Sequence, residues 1–391
     1  MKRNFKTAIC LSALALFTFA CSDDDDSAAK PSTNNNGGGS AAANKYSGSA
    51  SYGDLLELEV DQTDKVLTVN NLTTGITENN GYSELDAALD IDGTLYDVYE
   101  GIYEIDEGAN GKSYAIEIAD RILAGNFPTG RAANDIFLAV TDEVDYSGRE
   151  SEMVGTYFYV SLEPGAQANG DNEWGMLTID EYGDVYGFWC DQKSPSDTVV
   201  NVPIDSATAA SIYQGFHLKL GNIDGSEFAL MDETGSVLSD VKGYVYIGGE
   251  SSAIMIDQGT GKGAVFAFKS DLSQANGNEN FSKYVDEYKY VDFYENFTFD
   301  KGAGNFSINS NKTFDISLIG WDADPNVNDY YVDVTAGVSM TWTGYPGVYE
   351  SDDWDGYGST LYHVFAGDFV MYFDYDSNDQ FKGYGIGGSL D

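Results

Sequence analysis

Leu56-Glu57-Leu58-Glu59-Val60-Asp61-Gln62-Thr63-Asp64-Lys65-Val66-Leu67-Thr68-Val69 decides the fold class of this chain. Leu56, Leu58 and Val60 alternate with Glu57 and Glu59, so an extended strand buries one face and wets the other. Asp61 to Asp64 has turn composition, and Val66 to Val69 returns along the first strand. The same shape recurs at Met176 to Ile179, with a turn at Asp180-Glu181-Tyr182-Gly183 and a return through Val185 to Trp189. It recurs at Ile254-Met255-Ile256, turning through Asp257 to Gly263 and returning through Val265 to Phe268. Phe297-Thr298-Phe299 turns at Asp300-Lys301-Gly302 and returns through Phe306 and Ile308, and Val370 to Phe373 returns through Phe381 to Ile386. Tyr, Phe, Thr, Val and Ile suit a pleated, half-buried surface. The pattern predicts an all-β protein, with antiparallel hairpins forming two β-sandwich or barrel-like units after a disordered tether.

Ser194-Pro195-Ser196-Asp197 punctuates the chain and sets the expected division into units 46–200 and 201–391. Both halves carry an aromatic strand (Thr156 to Val160; Tyr244 to Ile247) followed by a hairpin whose turn begins with Asp. That fits either a duplication or the ordinary repetition of an all-β chain. Helical signals are few. Asp205-Ser206 caps a short turn over Ala207 to Tyr213. Between Phe281 and Tyr294 the aromatic spacing fits a helix at first and a strand toward the end.

Composition excludes several classes. The formal net charge is −44, which opposes both nucleic-acid phosphates and anionic headgroups. With 28 Tyr, 21 Phe and 5 Trp, the chain has the aromatics that acidic disordered proteins lack. Cys10, Cys21 and Cys190 are the only cysteines, and His217 and His363 the only histidines, too few for a four-ligand Cys/His zinc site. Cys190, after Phe188 and Trp189, reads as a core thiol.

The first residues carry an address. Lys2, Arg3 and Lys6 precede an apolar run from Ala8 to Ala20, too short to span a bilayer, and Cys21 follows a small residue. Ser22 and Asp23 to Asp26 come next, then a stretch rich in Ser, Asn, Gly and Ala. This opening resembles the lipoproteins of Gram-negative bacteria, and the acidic run resembles the export tail of those displayed on the cell surface. The resemblance implies a signal peptide over 1–20, acylation of Cys21, and outer-membrane anchoring with the body facing outward. Residues 21–45 then form a lipidated, flexible tether, about 25–30 Å in reach.

Few motifs carry chemistry. Asp90-Ile91-Asp92-Gly93-Thr94-Leu95 has the spacing of the haloacid-dehalogenase-like nucleophile motif, but no α/β alternation follows, and it reads as an Asp-Gly hairpin turn. Gly259-Thr260-Gly261-Lys262-Gly263 lacks the Ser or Thr of a phosphate loop and reads as a glycine-rich turn. Asp322, Asp324, Asn326, Asn328 and Asp333 place oxygens at positions 1, 3, 5, 7 and 12 of one loop, a spacing that suits calcium, the one candidate cofactor. Asp352, Asp353 and Asp355 form a further acidic cluster, and Asp374, Asp376, Asn378 and Asp379 another. His363 beside Tyr362 matches, by residue type, a haem-iron pair. Trp174, Trp189 and Trp321 read as core, whereas Trp342, Tyr345, Trp354 and Tyr357 lie in polar, glycine-rich surroundings where flat rings suit sugars. The expected function is non-catalytic binding at the surface, with a glycan as partner. A structural or adhesive coat protein and a two-carboxylate glycoside hydrolase are the alternatives.

Overall fold

A computed structural model of the chain describes residues 43–85, 89–91, 94–96, 101–108, 111–118, 121–126, 128–130, 136–162, 173–189, 217–232, 234–248, 251–270, 281–294, 300–322, 329–343, 347–352, 356–377 and 381–390. Among these residues there is no α-helix, only two 3-10 turns, Glu150–Met153 and Phe281–Tyr284. The all-β expectation holds.

The strands form three units. The first contains β1 (Asn44–Ala50), β2 (Asp54–Asp61), β3 (Val66–Asn71), β4 (Ile76–Leu85), a side hairpin of β5 (Leu89–Ile91) and β6 (Thr94–Tyr96), then β7 (Ile102–Asp106), β8 (Lys112–Ile118), β9 (Ile122–Gly125) and β10 (Phe137–Thr141). Apart from the side hairpin, each strand pairs antiparallel with the next, and β1 closes on β10 to make an eight-stranded barrel. The second contains β11 (Gly155–Leu162), β12 (Glu173–Ile179), β13 (Asp184–Trp189), β14 (His217–Asp224), β15 (Glu227–Met231), β16 (Val237–Gly248), β17 (Ser251–Asp257) and β18 (Ala264–Ser270). It is the same meander, closed by β11 on β18. The third contains β19 (Glu287–Tyr294), β20 (Asp300–Asn309), β21 (Thr313–Asp322), β22 (Asp329–Ser339), β23 (Thr341–Trp342), β24 (Val348–Asp352), β25 (Thr360–Ala366), β26 (Phe369–Tyr375) and β27 (Phe381–Ser389). It is one rolled sheet whose edges are β22 and β23.

Two sequence expectations are corrected. The division at 200/201 falls between β13 and β14, which pair with each other inside the second barrel. The Pro-bearing segment is a connection within a unit, and the chain passes to the third unit only after Ser270. The turn expected at Asp300-Lys301-Gly302 is the start of β20, with Lys301 opposite Phe293. Gly302 and Gly304 belong there because a side chain on either would run into Leu318 or Ser317 of β21. The Asp90 motif is the β5–β6 hairpin, with Asp90 opposite Leu95, and the Gly259 segment is a turn closed by Lys262 N–H donating to the Gly259 carbonyl. Residues 193–201, 207–213 and Cys190 lie outside the described residues.

Each unit has an apolar interior: Tyr46, Leu58, Val69 and Phe137 in the first, Tyr157, Leu177, Phe228 and Val245 in the second, Tyr290, Phe314, Tyr349 and Tyr372 in the third. In each, a glycine on one strand is covered by an aromatic ring on its paired neighbour: Gly125 by Phe137, Gly243 by Phe228, and Gly385 by Tyr372. The missing side chain lets the ring lie flat on the wall, so the glycine content serves the aromatic packing. A fourth cluster joins the outer faces of all three units, with Tyr114 and Leu138 from the first, Phe158 and Met255 from the second, and Val364 and Phe373 from the third. Strands at this junction are buried on both faces, as in β17 and β26, where alternation disappears. Trp174 sits there at 2% exposure, stacked on Phe373 at 4.7 Å, its indole N–H donating to the Tyr375 hydroxyl at 2.9 Å. Its core assignment is borne out.

Candidate functional site

Strand register gathers the acidic segments at one end of the third unit. Asp300 pairs with Asp322, and Asp322 with Asp329. Tyr294 pairs with Gly383, Asp352 with Thr360, Thr360 with Tyr375, and Tyr375 with Phe381. The described segments 356–359 and 376–377 therefore lie at this same end. A Cβ on Gly358 would lie 3.3 Å from Ser377, which brings these two segments into contact. Asp322, Asp352 and Asp376, one from each Asp cluster, thus belong to strand ends on this side of the unit, and the remaining cluster residues except Asp333 and Asp374 lie outside the described residues.

The electrostatics of that end follow from its charge. Glu350 and Asp352 alternate on β24, and Glu350 lies opposite Tyr362. Partial burial raises the Glu350 carboxyl above the usual range, and the Asp352 charge adds to it. Thr360 Oγ1 donates to Asp352 at 3.3 Å. Tyr357 projects into solvent at 86% exposure.

Of the four aromatic candidates, Trp342 and Tyr357 are among the described residues. Trp342 is opposite Tyr349, half-buried against the interior of the third unit, and leads into the segment carrying Tyr345. Trp354 and Tyr357 follow the other end of β24. The side chains of Trp354 and Tyr345 lie outside the described residues.

Of the calcium candidates, only the backbone positions of Asp322 and Asp333 are described. Asp333 pairs with Leu318, four positions along β22 from the Asp329–Asp322 pair. That is about 13 Å of strand. The side chains of Asp322 and Asp333 lie outside the described residues. Asp324, Asn326 and Asn328 lie outside the described residues. Among the described residues, no group of three His, Cys, Asp or Glu is placed to hold a metal.

His363 is not a surface haem ligand. It is fully buried between the Phe306 and Phe314 rings, with Nε2 3.1 Å from Ser351 Oγ. Burial pushes its imidazole down to about 3, so it is neutral at physiological pH.

Sequence reasoning missed Glu117. On β8, Ser113, Ala115 and Glu117 share the inward face of the first barrel. Glu117 is 4% exposed and accepts hydrogen bonds from the Tyr46 hydroxyl, the Tyr103 hydroxyl at 2.7 Å and the Asn44 amide at 3.2 Å. Burial, and then the Glu117 charge, pushes both phenols well above their ordinary range. The signal was a lone carboxylate in phase with inward residues of a strand. Enclosed and fully engaged, it holds the barrel together and has no access to an external substrate.

The second barrel has an open cleft of 420 Å³. It lies where β14 and β16 bulge away from β15, and it is floored by Phe228 and Val241 and edged by Asp224, Glu227 and Lys242. Lys242 is committed to Glu227 at 2.8 Å.

No protein-family model matches the chain, and no curated protein matches it in sequence. Among solved structures it is similar to isotype 1 transferrin binding protein B from serogroup B Neisseria meningitidis, at 12% identity over 86% of this chain and 65% of that one, with a TM-score of 0.27. It is similar to a DUF3598-family protein of unknown function from Nostoc punctiforme, at 12% identity over 58% of this chain and 94% of that one, with a TM-score of 0.22. A transferrin binding protein B mutant from Haemophilus parasuis gives 9% identity over 89% and 76% of the two chains, with a TM-score of 0.24. The chain spans 65% of the length of the meningococcal protein, and likeness this slight assigns it neither a family nor a ligand.

Proposed function

We propose that this chain is an exported lipoprotein, acylated on Cys21 and held on the outer face of the outer membrane, and that it acts by binding rather than by catalysis. The binding face is the acidic end of the third unit, and a glycan is the ligand class its chemistry fits. The observation that carries this reading is Tyr357, a ring left 86% exposed in the connection that follows the exposed Asp352. Sugars present apolar C–H faces that pack on flat rings and hydroxyls that donate to carboxylates, and this end supplies both. The leading residues support the anchor: a basic start, an apolar run, a small residue and then Cys21.

Two measurements test the proposal. Labelled palmitate is expected to enter the wild-type chain but not Cys21→Ser, and protease added to whole cells is expected to shave the body from the surface. A glycan array probed with the purified body is expected to give signals that drop about tenfold in Tyr357→Ala, the effect of losing one central aromatic contact. No signal from the wild-type protein, or an unchanged signal in the variant, rejects the glycan. Unlabelled wild-type protein rejects the anchor.

A further inference from the structure

β22 is the longest strand of the third unit, eleven residues from Asp329 to Ser339, and it ends the sheet. On one side it pairs with β21 along its whole length. Among the described residues, no strand pairs with its other side. The chain continues through Met340 into β23, whose two residues reach β24 at Glu350 and Tyr349. Among the described residues the roll is stitched only there, and no further strand lies along the outer edge of β22. Val334 is 59% exposed, and Ala336, Gly337 and Ser339 are exposed as well.

An edge strand turns every second residue's N–H and C=O outward, so this edge offers a hydrogen-bonding template. Charge selects what can use it. Asp329 and Asp333 lie on the strand, Asp329 pairs with Asp322 of β21, and the chain carries −44 overall. A second copy would bring the same charges to the same edge. We propose that the outer edge of β22 takes an extended, lysine- or arginine-bearing segment of another protein as an added antiparallel strand. Backbone bonds supply the pairing and the net negative charge supplies the sign preference. This surface is distinct from the Tyr357 connection and stands whether or not that connection binds a glycan.

The test uses the body with three fluorescent octapeptides: one alternating valine and lysine, its glutamate counterpart, and the lysine peptide with two valines replaced by proline. Anisotropy at physiological salt gives affinity, and hydrogen exchange locates the contact. The lysine peptide is expected to bind and to slow exchange within β22. Proline, which cannot donate to a ladder, is expected to weaken it about tenfold or more, and the glutamate peptide to leave the protein unbound. Val334→Lys, at an exposed position, is expected to weaken the lysine peptide about fivefold while thermal unfolding stays unchanged. Equal binding of the proline peptide would show mere charge adsorption and overturn the proposal. So would protection lying outside β22, or a body that is already dimeric through β22 without peptide.

Discussion

The second barrel and the third unit have nearly the same strand count but solve closure differently. In the second barrel the first and last strands, β11 and β18, pair with each other, and no edge remains. In the third unit the first and last strands also pair, β19 with β27, yet this pairing falls in the middle of the sheet order. The two edges come instead from adjacent segments of chain, β22 and β23, joined at Met340. The opening is therefore not a frayed terminus. It sits mid-chain, with the Met340 N–H donating to the Lys312 carbonyl on one side and Trp342 packed inward on the other. A barrel that closes at its ends has spent its edges. One that closes around its ends can keep an edge and hold it rigid.

That contrast fails if the third unit depends on the second barrel for its shape. Trp174 is the test, because it bridges them through Phe373 and Tyr375. Trp174→Ala removes the stacked ring and the donor to a buried hydroxyl, and is expected to cost about 3–5 kcal/mol. Urea unfolding followed by tyrosine fluorescence and by far-ultraviolet dichroism should then split into two transitions, with the third unit melting apart from the barrels. A single transition at the wild-type midpoint would show that the junction contributes little.

The interiors of the first barrel and the third unit differ in a second way that pH exposes. The first barrel buries a carboxylate with its donors, whereas the third unit buries a neutral imidazole. His363 has its pKa pushed down to about 3, while in the unfolded chain it is ordinary, near 6.5. As pH falls below about 6.5 the unfolded chain takes up a proton that the folded chain refuses, so stability falls until about pH 3. Between pH 7.5 and 5 the loss from this one group is about 2 kcal/mol. His363→Phe keeps a ring between Phe306 and Phe314 and is expected to lose about that much less over the same interval. Equal losses in the two proteins would mean that the imidazole is not held neutral by its surroundings.

How much of this was legible follows from the range of the forces. The hairpins at 56–69, 176–189, 254–268 and 370–386 were readable, because alternation and turn residues act over a few positions. Closure was not, because β11 and β18 meet only in three dimensions and nothing local marks the pairing. The Pro195 segment and the Asn-rich segment after Ser270 look alike as sequence, although one interrupts a barrel and the other separates units. The uninterrupted apolar runs Ala253 to Ile256 and Phe369 to Phe373 did carry the junction, since strands wetted on one face alternate and these do not. For the site, composition found the acidic segments but not the pairing that puts Asp300, Asp322 and Asp329 side by side at strand ends.

The smallest expected effect lies on the open edge itself. β22 carries one extra residue between Thr335 and Val338, where the register against β21 shifts. Gly337 takes φ +69 there, and its N–H donates to Asp315 Oδ1 at 2.6 Å. No atom lies within 4 Å of where its Cβ would be, so a substitution meets no clash and only the backbone conformation resists it. Gly337→Ala is expected to cost about 1 kcal/mol, and Gly337→Asn less, because asparagine tolerates the left-handed region. The cost should be local. Hydrogen exchange is expected to quicken over 334–339 while β17 and β26 keep their wild-type rates, because those strands are buried on both faces. If exchange quickens throughout the third unit instead, the bulge is holding the whole roll together, and β22 is less an edge kept open than a closure under tension.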